Sequence, residues 1–320
     1  MRSMHRILKQ PFFGRFQRTW RWPETMLHDD WEHITFPNLR GGALAGVFGA
    51  ARSGPAVGAV ALAHPLSIAA KGFWLKEGHA DLLRNAGFDV LAFDFNGFGE
   101  SESTDFAYPS DVIAAGVYLR WRRPALPIAV VACSFGAGWA LCALANEEHP
   151  FRAAVLEGVF PTLPFYWRRY PLPYGLLRAS QVVYPRLERA LRPIRAAAEV
   201  TSNPDVLLIY GEADTLTPVS IGIELHAALS TRAVVALWTV PGAEHNGARR
   251  AAPEAYAHHV IAFLQASLAR ARDHADEPAG ADQRRVMRAA LLPADRSSEA
   301  NEPHSADPQS AIRKSKGINS

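Results

Sequence analysis

Between residues 57 and 269 the chain alternates short, continuous apolar runs with longer amphipathic segments, and this alternation limits the fold more than any other feature. The apolar runs cover residues 57–63, 90–93, 128–132, 153–156, 206–210 and 234–240. Helical patterns fall near 77–86, 112–121, 136–145 and 220–229, and 253–269 supplies a last helix. A strand covered on both faces reads as an unbroken apolar run, whereas a strand with one wet face alternates. The pattern therefore predicts an α/β fold with a mainly parallel central sheet flanked by helices. Ahead of it, residues 31–36 and 44–48, around Gly41 and Gly42, predict two antiparallel opening strands.

The alternation breaks between residues 160 and 200, where aromatic, proline and arginine residues crowd together. An insertion after the sixth strand of a regular sheet is the place for a small helical lid. At 320 residues, 48% hydrophobic and 20% charged, the chain can bury one large core, so we expect one domain over 31–270 with appended tails. Residues 1–30 form a basic and aromatic arm, in which Arg2, Arg6, Lys9, Arg15, Arg18 and Arg21 interleave with Phe12, Phe13, Phe16, Trp20 and Trp22. Two readings of the arm stay open: its aromatics pack on the domain, or it makes peripheral contact with a membrane surface. Residues 271–320 lack Phe, Trp and Tyr, which predicts a disordered tail, with a short helix over 284–292 available to a partner.

A formal net charge of +3 is too small to hold a protein on nucleic acid by phosphate neutralisation, so nucleic acid is not expected as a partner. Cys133 and Cys142 lie in an apolar stretch and suggest neither a disulfide framework nor a zinc site. A reducing compartment fits them. No secretory pattern opens the chain, and no stretch approaches the about 20 apolar residues that span a bilayer. The expected location is cytoplasmic.

The sharpest local signal is Ala129-Val130-Val131-Ala132-Cys133-Ser134-Phe135-Gly136-Ala137-Gly138, an apolar strand that runs into a Ser flanked by small residues and on into a helical pattern. Small residues two before and two after the Ser are what a sharp strand-to-helix turn demands, because larger side chains would collide there. Such a turn lifts the hydroxyl above the sheet edge at a helix N-terminus, where backbone N–H groups favour developing negative charge. A Ser in this setting also serves as a plain helix cap. The stretch resembles the Gly-x-Ser-x-Gly nucleophile elbow of the α/β-hydrolase superfamily, with Ala132 in place of the first Gly.

Further segments carry the same resemblance over about residues 40–270. Gly211-Glu212-Ala213-Asp214-Thr215-Leu216-Thr217-Pro218 resembles the superfamily's Gly-x-x-Asp-x-x-x-Pro loop after the seventh strand, and Pro241-Gly242-Ala243-Glu244-His245-Asn246 its loop after the last strand. The resemblance implies Ser134 as nucleophile, His245 as general base and Asp214 as the acid that orients it, in the order Ser, Asp, His. Taken singly, Asp214 also suits a turn or cap before Pro218, and His245 a solvated loop. Glu157, after the sixth strand, is the rival acid. The resemblance further implies an oxyanion hole from the backbone N–H groups of Phe135 and Leu66; Leu66 follows His64-Pro65 where members commonly read His-Gly-x, and Pro65 has no N–H to offer. His64 then braces the loop. The segment from Asp94 to Ser101 resembles a further superfamily turn and is read as structural.

The lid is rich in aromatics, of which Phe165, Trp167 and Tyr170 are the expected substrate-binding residues, suited to an apolar acyl or aryl group. It also carries Arg168, Arg169, Arg178, Arg186, Arg189, Arg192 and Arg195 against one acid, Glu188. These arginines either meet an anionic group or acidic surface, with peripheral membrane contact open to this basic lid as to the arm, or are solvated helix faces. The resemblance as a whole implies a serine hydrolase, esterase- or lysophospholipase-like, that cleaves a small carboxylic ester or thioester through an acyl-enzyme with no cofactor or metal. The alternative is a non-catalytic binding or scaffold protein of the same fold. Convergence of Ser134, His245 and Asp214 in space discriminates the two.

Overall fold

The computed structural model describes residues 2–17, 30–183 and 185–273. In chain order these hold α1 (Arg2–Phe13), β1 (Glu32–Pro37), β2 (Ala43–Gly49), β3 (Gly58–Ala63), α2 (Gly72–Lys76), α3 (His79–Asn85), β4 (Phe88–Phe93), α4 (Tyr108–Arg122), β5 (Ile128–Cys133), α5 (Phe135–Leu144) and β6 (Phe151–Glu157). The lid follows as α6 (Leu163–Trp167), α7 (Pro171–Val183), α8 (Pro185–Ala190) and α9 (Pro193–Ala198). Then come β7 (Asp205–Gly211), α10 (Val219–Leu229), β8 (Val234–Val240), α11 (Ala248–Ala251) and α12 (Pro253–Asp273).

The strands form one sheet in the order β1-β2-β4-β3-β5-β6-β7-β8. β1 and β2 pair antiparallel, as do β2 and β4, and the remaining neighbours are parallel. Every residue of β3, β4 and β5 is buried, as their unbroken apolar character requires. Their side chains divide by the two-residue period of a strand. Ala59, Ala61 and Ala63 face a core built with α4, α5 and α10, while Val60 and Leu62 face one built with α2, α3 and α12. Where the sequence understates a strand, a polar residue is the reason. β4 begins before Asp89, whose buried carboxylate is engaged by the Ala51 N–H and the Arg123 guanidinium, and β6 begins before the exposed Arg152.

Some boundaries move. α12 continues to Asp273, so the first three residues read as tail are helical, and Arg272 donates to the Ala56 carbonyl at 3.2 Å. The rest of the tail, with its expected helix over 284–292, lies outside the described residues, as do Trp20 and Trp22 of the arm. Among the described residues no helix is long and apolar enough to cross a membrane.

The arm contributes a helix that packs on the domain. Phe13 is fully buried, with its ring centroid 5.4 Å from that of Phe135, 5.6 Å from Phe98 and 6.0 Å from Trp167 of the lid. Lys9 is buried too. Its ammonium donates to the Asn96 carbonyl at 3.0 Å and to the Asn96 side chain, and Asn96 in turn donates to Asp111 from its backbone (2.9 Å) and side chain (2.7 Å). Burial pulls Lys9 down to about 8 and pushes Asp111 up to about 7, although each partly offsets the other.

Candidate active site

The strand register gathers the site. β3 lies between β4 and β5, and the chain passes from one side of β3 to the other, which leaves a crevice beyond the C-terminal strand ends. Ala63 is level with Ala132, Cys133 with Glu157, Glu157 with Ile209, and Gly211 with Val240. The residues that follow β3, β5, β6, β7 and β8 therefore emerge along one edge. These include Leu66, Ser134, Gly158, Asp214 and His245.

Ser134 sits between β5 and α5 at φ 49° and ψ −112°, a strained turn that an L-residue rarely adopts. The Ser134 N–H donates to the Glu157 carbonyl at 2.8 Å and its own carbonyl accepts from Gly138 at 3.0 Å, which pins the elbow to β6 and to the first turn of α5. Gly136 has no room for a side chain, because a Cβ there would lie 2.1 Å from the Ala63 carbonyl oxygen. The small residue after the Ser thus lets α5 rest against the end of β3.

The three side chains converge. His245 Nε2 is 2.7 Å from Ser134 Oγ, and His245 Nδ1 is 2.7 Å from Asp214 Oδ2. An ionised carboxylate only accepts, so Nδ1 carries the proton and Nε2 is left to accept from the serine hydroxyl. Asp214 is buried and further held by the N–H groups of Leu216 (2.7 Å) and Thr217 (2.9 Å) and by the Thr217 hydroxyl (2.6 Å). Burial pushes its carboxyl up, but the bond to His245 and those from Thr217 outweigh it and leave Asp214 below the usual carboxylate range. The same carboxylate therefore serves both, with Oδ1 accepting from the N–H groups of the turn that the sequence suggested and Oδ2 facing the imidazole.

Glu157 is placed differently. Its carboxylate accepts from the Ala248 N–H at 3.0 Å and faces the Cys133 thiol, and burial raises its pKa. It ties α11 to the sheet rather than meeting His245.

On the other side of Ser134, Phe135 opens α5, and its ring is buried among Phe13, Phe95, Phe98, Tyr108 and Trp139. Leu66 lies half-buried on the loop after β3. That loop is fastened by His64, which donates from Nδ1 to the Pro65 carbonyl (2.7 Å) and accepts at Nε2 from the Phe95 N–H (3.2 Å). Complete burial lowers its pKa to about 4, so it stays neutral. Asp94 is likewise a scaffold, bonded to the N–H groups of Lys71 and Glu100 and to the buried Lys71 ammonium at 2.6 Å.

In the lid, Trp167 is buried against Phe12 and Phe13, Phe165 lies under the Arg168 guanidinium at 3.7 Å, and Tyr170 is exposed. Tyr166 faces Ser134. Its ring packs on Phe160, and its hydroxyl is pushed up to about 12 by burial, an effect that the nearby Ser134 side chain partly offsets. Nothing in an aromatic-rich stretch distinguishes Tyr166 from its neighbours before the helix is folded. Thr217 and Gly158 are also missed by the sequence reading. Gly158 has φ +64°, and a Cβ on it would lie 3.3 Å from His245 Cε1 and 3.2 Å from Thr217 Oγ1.

A mainly parallel sheet with a strained serine at one strand end, and an acid and a histidine converging on it, defines an α/β-hydrolase. Within that class the chain belongs to the prolyl oligopeptidase family, whose model matches residues 110–271, just over half of the sequence. It is 28% identical over 181 residues to the human protein ABHD12B, a stretch that covers 52% of this chain and 49% of that relative. The chain thus spans about half the length of this relative. Among solved structures it is similar to an esterase of Pyrococcus furiosus (TM-score 0.61, 18% identity, 78% of this chain and 99% of the other). It is also similar to an alpha-beta hydrolase of Vibrio vulnificus (TM-score 0.62, 17% identity, 82% and 94%) and a carboxyl esterase of Bacillus coagulans (TM-score 0.57, 15% identity, 74% and 99%). At these identities the likeness speaks for the fold.

Proposed function

We propose that the protein is a serine hydrolase that cleaves a carboxylic ester or thioester through an acyl-enzyme on Ser134. The observation that carries this reading is the continuous link from Ser134 Oγ through His245 to Asp214, 2.7 Å at each step. As Oγ bonds to the carbonyl carbon, His245 Nε2 takes its proton and the carbonyl electron pair moves onto oxygen. The backbone N–H groups of Phe135 and Leu66 stabilise that oxyanion, from a helix N-terminus and from the loop fastened by His64. Collapse breaks the bond to the leaving group, which His245 protonates. Water then repeats the sequence, releasing the carboxylic acid and restoring Ser134. Asp214 keeps the imidazole oriented and offsets the imidazolium charge.

The aromatic lid suits an apolar acyl or aryl group, with Phe165, Trp167 and Tyr170 as substrate-binding residues. Tyr166, beside Ser134, would donate a hydrogen bond to the substrate. The buried free thiols Cys133 and Cys142 fit a cytoplasmic site of action. The mutual distances of the three side chains favour this reading over a non-catalytic binding protein. The test is turnover of p-nitrophenyl esters from acetate to laurate by wild type and Ser134→Ala. We expect kcat/KM to rise with acyl length and the variant to lose turnover; folded wild type that hydrolyses no ester overturns the proposal.

A further inference from the structure

The lid helix α7 has two apolar faces, and the fold uses one. Pro173 and Leu177 turn inward, the first buried and the second packed on the core. Leu172, Leu176, Ala179 and Val183 recur at the i, i+4, i+7, i+11 spacing of a single helical stripe about 100° round the helix from that face, and all four are exposed. Leu172 retains 66% of its accessible surface and Val183 64%, and Val182 beside them retains 82%. Thirteen residues at about 1.5 Å each make a helix about 20 Å long, enough to lie on a surface and too short to span one.

The charge around the stripe is predominantly positive, with Glu188 facing Arg192 and Arg178 as its one acid. Arg178 precedes Val182 by one turn and is exposed, as are Arg168, Arg169 and Arg189. Arg168 and Arg169 reach carbonyl oxygens at Thr215 and Leu216, which leave their charges unneutralised. The single acid between residues 160 and 198, Glu188, is engaged by Arg192 and Gln181. Large aliphatic side chains beside guanidinium groups are the composition of a helix that lies in the interface of an anionic bilayer. A second copy meeting the stripe face to face would bring like charges together without an answering acid.

We propose that the outward face of α7, with the arginines beside it, docks on an anionic lipid–water interface. α6, which carries Tyr166 beside Ser134, is joined to α7 by residues 168–170. Docking therefore sets the surface next to the candidate active site. The inference does not depend on catalysis, and binding is measured on Ser134→Ala protein so that hydrolysis plays no part.

The experiment is co-flotation of the full chain with vesicles of phosphatidylcholine alone and of phosphatidylcholine with phosphatidylglycerol, at low and high salt. Binding is expected only with phosphatidylglycerol, weakening as salt rises. The triple variant Leu172→Glu, Leu176→Glu and Val183→Glu should bind more than tenfold more weakly, and Arg178→Gln about fivefold more weakly. Melting temperature and hydrolysis of a soluble acetate ester by the same variants, on the Ser134 background, should stay near wild type and separate surface effects from misfolding. No binding to either vesicle, or equal binding to both, overturns the proposal. So does a lipid-free dimer that the glutamates dissociate, because the stripe then belongs to a second copy.

Discussion

Asp214 Oδ2 lies 2.7 Å from His245 Nδ1, while Glu157, one strand away, turns its carboxylate to the Ala248 N–H. The two acids leave adjacent strand ends, and only the first touches the imidazole. Asp214→Asn should therefore lower kcat about 10⁴-fold by favouring the wrong tautomer. Glu157→Gln preserves an acceptor for Ala248 and should keep kcat within a few-fold. Steady-state kinetics on both variants checks this, and the reverse ranking would assign the acid to Glu157.

Thr217 sets the charge of that acid. Its hydroxyl donates to Asp214 Oδ2 at 2.6 Å, a bond that favours the ionised form. A carboxyl held below its ordinary value contributes stability that is present above the unfolded pKa and lost as pH falls through the folded one. Thr217→Val raises the folded value toward the unfolded one, so the stability lost on the acid side should be smaller and the loss complete at higher pH, with kcat down about tenfold at neutral pH. Melts across the acid range that superimpose on wild type would contradict this.

Gly158 leaves space for the imidazole. Alanine there meets a left-handed backbone, a cost of about 1–2 kcal/mol, and crowds His245 Cε1 at 3.3 Å. Gly158→Ala should lower kcat by up to about 100-fold with a smaller effect on KM, because the displaced His245 is the proposed general base rather than a substrate-binding residue. A loss confined to KM would place the crowding elsewhere.

The buried Lys9, Asn96 and Asp111 network gives the arm a pH signature. Lys9 titrates near 8 when folded against 10.5 ordinarily, so between these values the unfolded chain binds more protons and stability rises with pH. Asp111 titrates near 7 against 3.8, so between these values the folded chain binds more protons and stability falls as pH rises. The network thus contributes least between about 7 and 8. Lys9→Met should abolish the alkaline rise and Asp111→Asn the fall below neutrality in melts followed against pH.

The sheet was legible in the sequence because its inner strands are covered on both faces, and burial leaves an unbroken apolar run such as that of β5, whereas the edge strands β1 and β8 are partly exposed. The elbow was legible because a sharp turn restricts residue types locally, and Asp214 and His245 were legible through the resemblance of their loops to the superfamily's motifs. What escaped depends on contacts across the fold. Thr217 matters through a bond to Asp214, Gly158 through its distance from a ring almost ninety residues away, and Tyr166 through the way the lid folds back. The arm's helix escaped because Lys9 interrupts its apolar residues, and the partner that receives Lys9 is Asn96 in a distant loop.

The most direct test of the central claim is labelling with a fluorophosphonate probe, read by intact mass and peptide mapping. An activated nucleophile predicts one adduct per chain, located on Ser134 and absent from folded Ser134→Ala. Well-folded wild type that takes up no probe, or takes it up at another residue, contradicts the account.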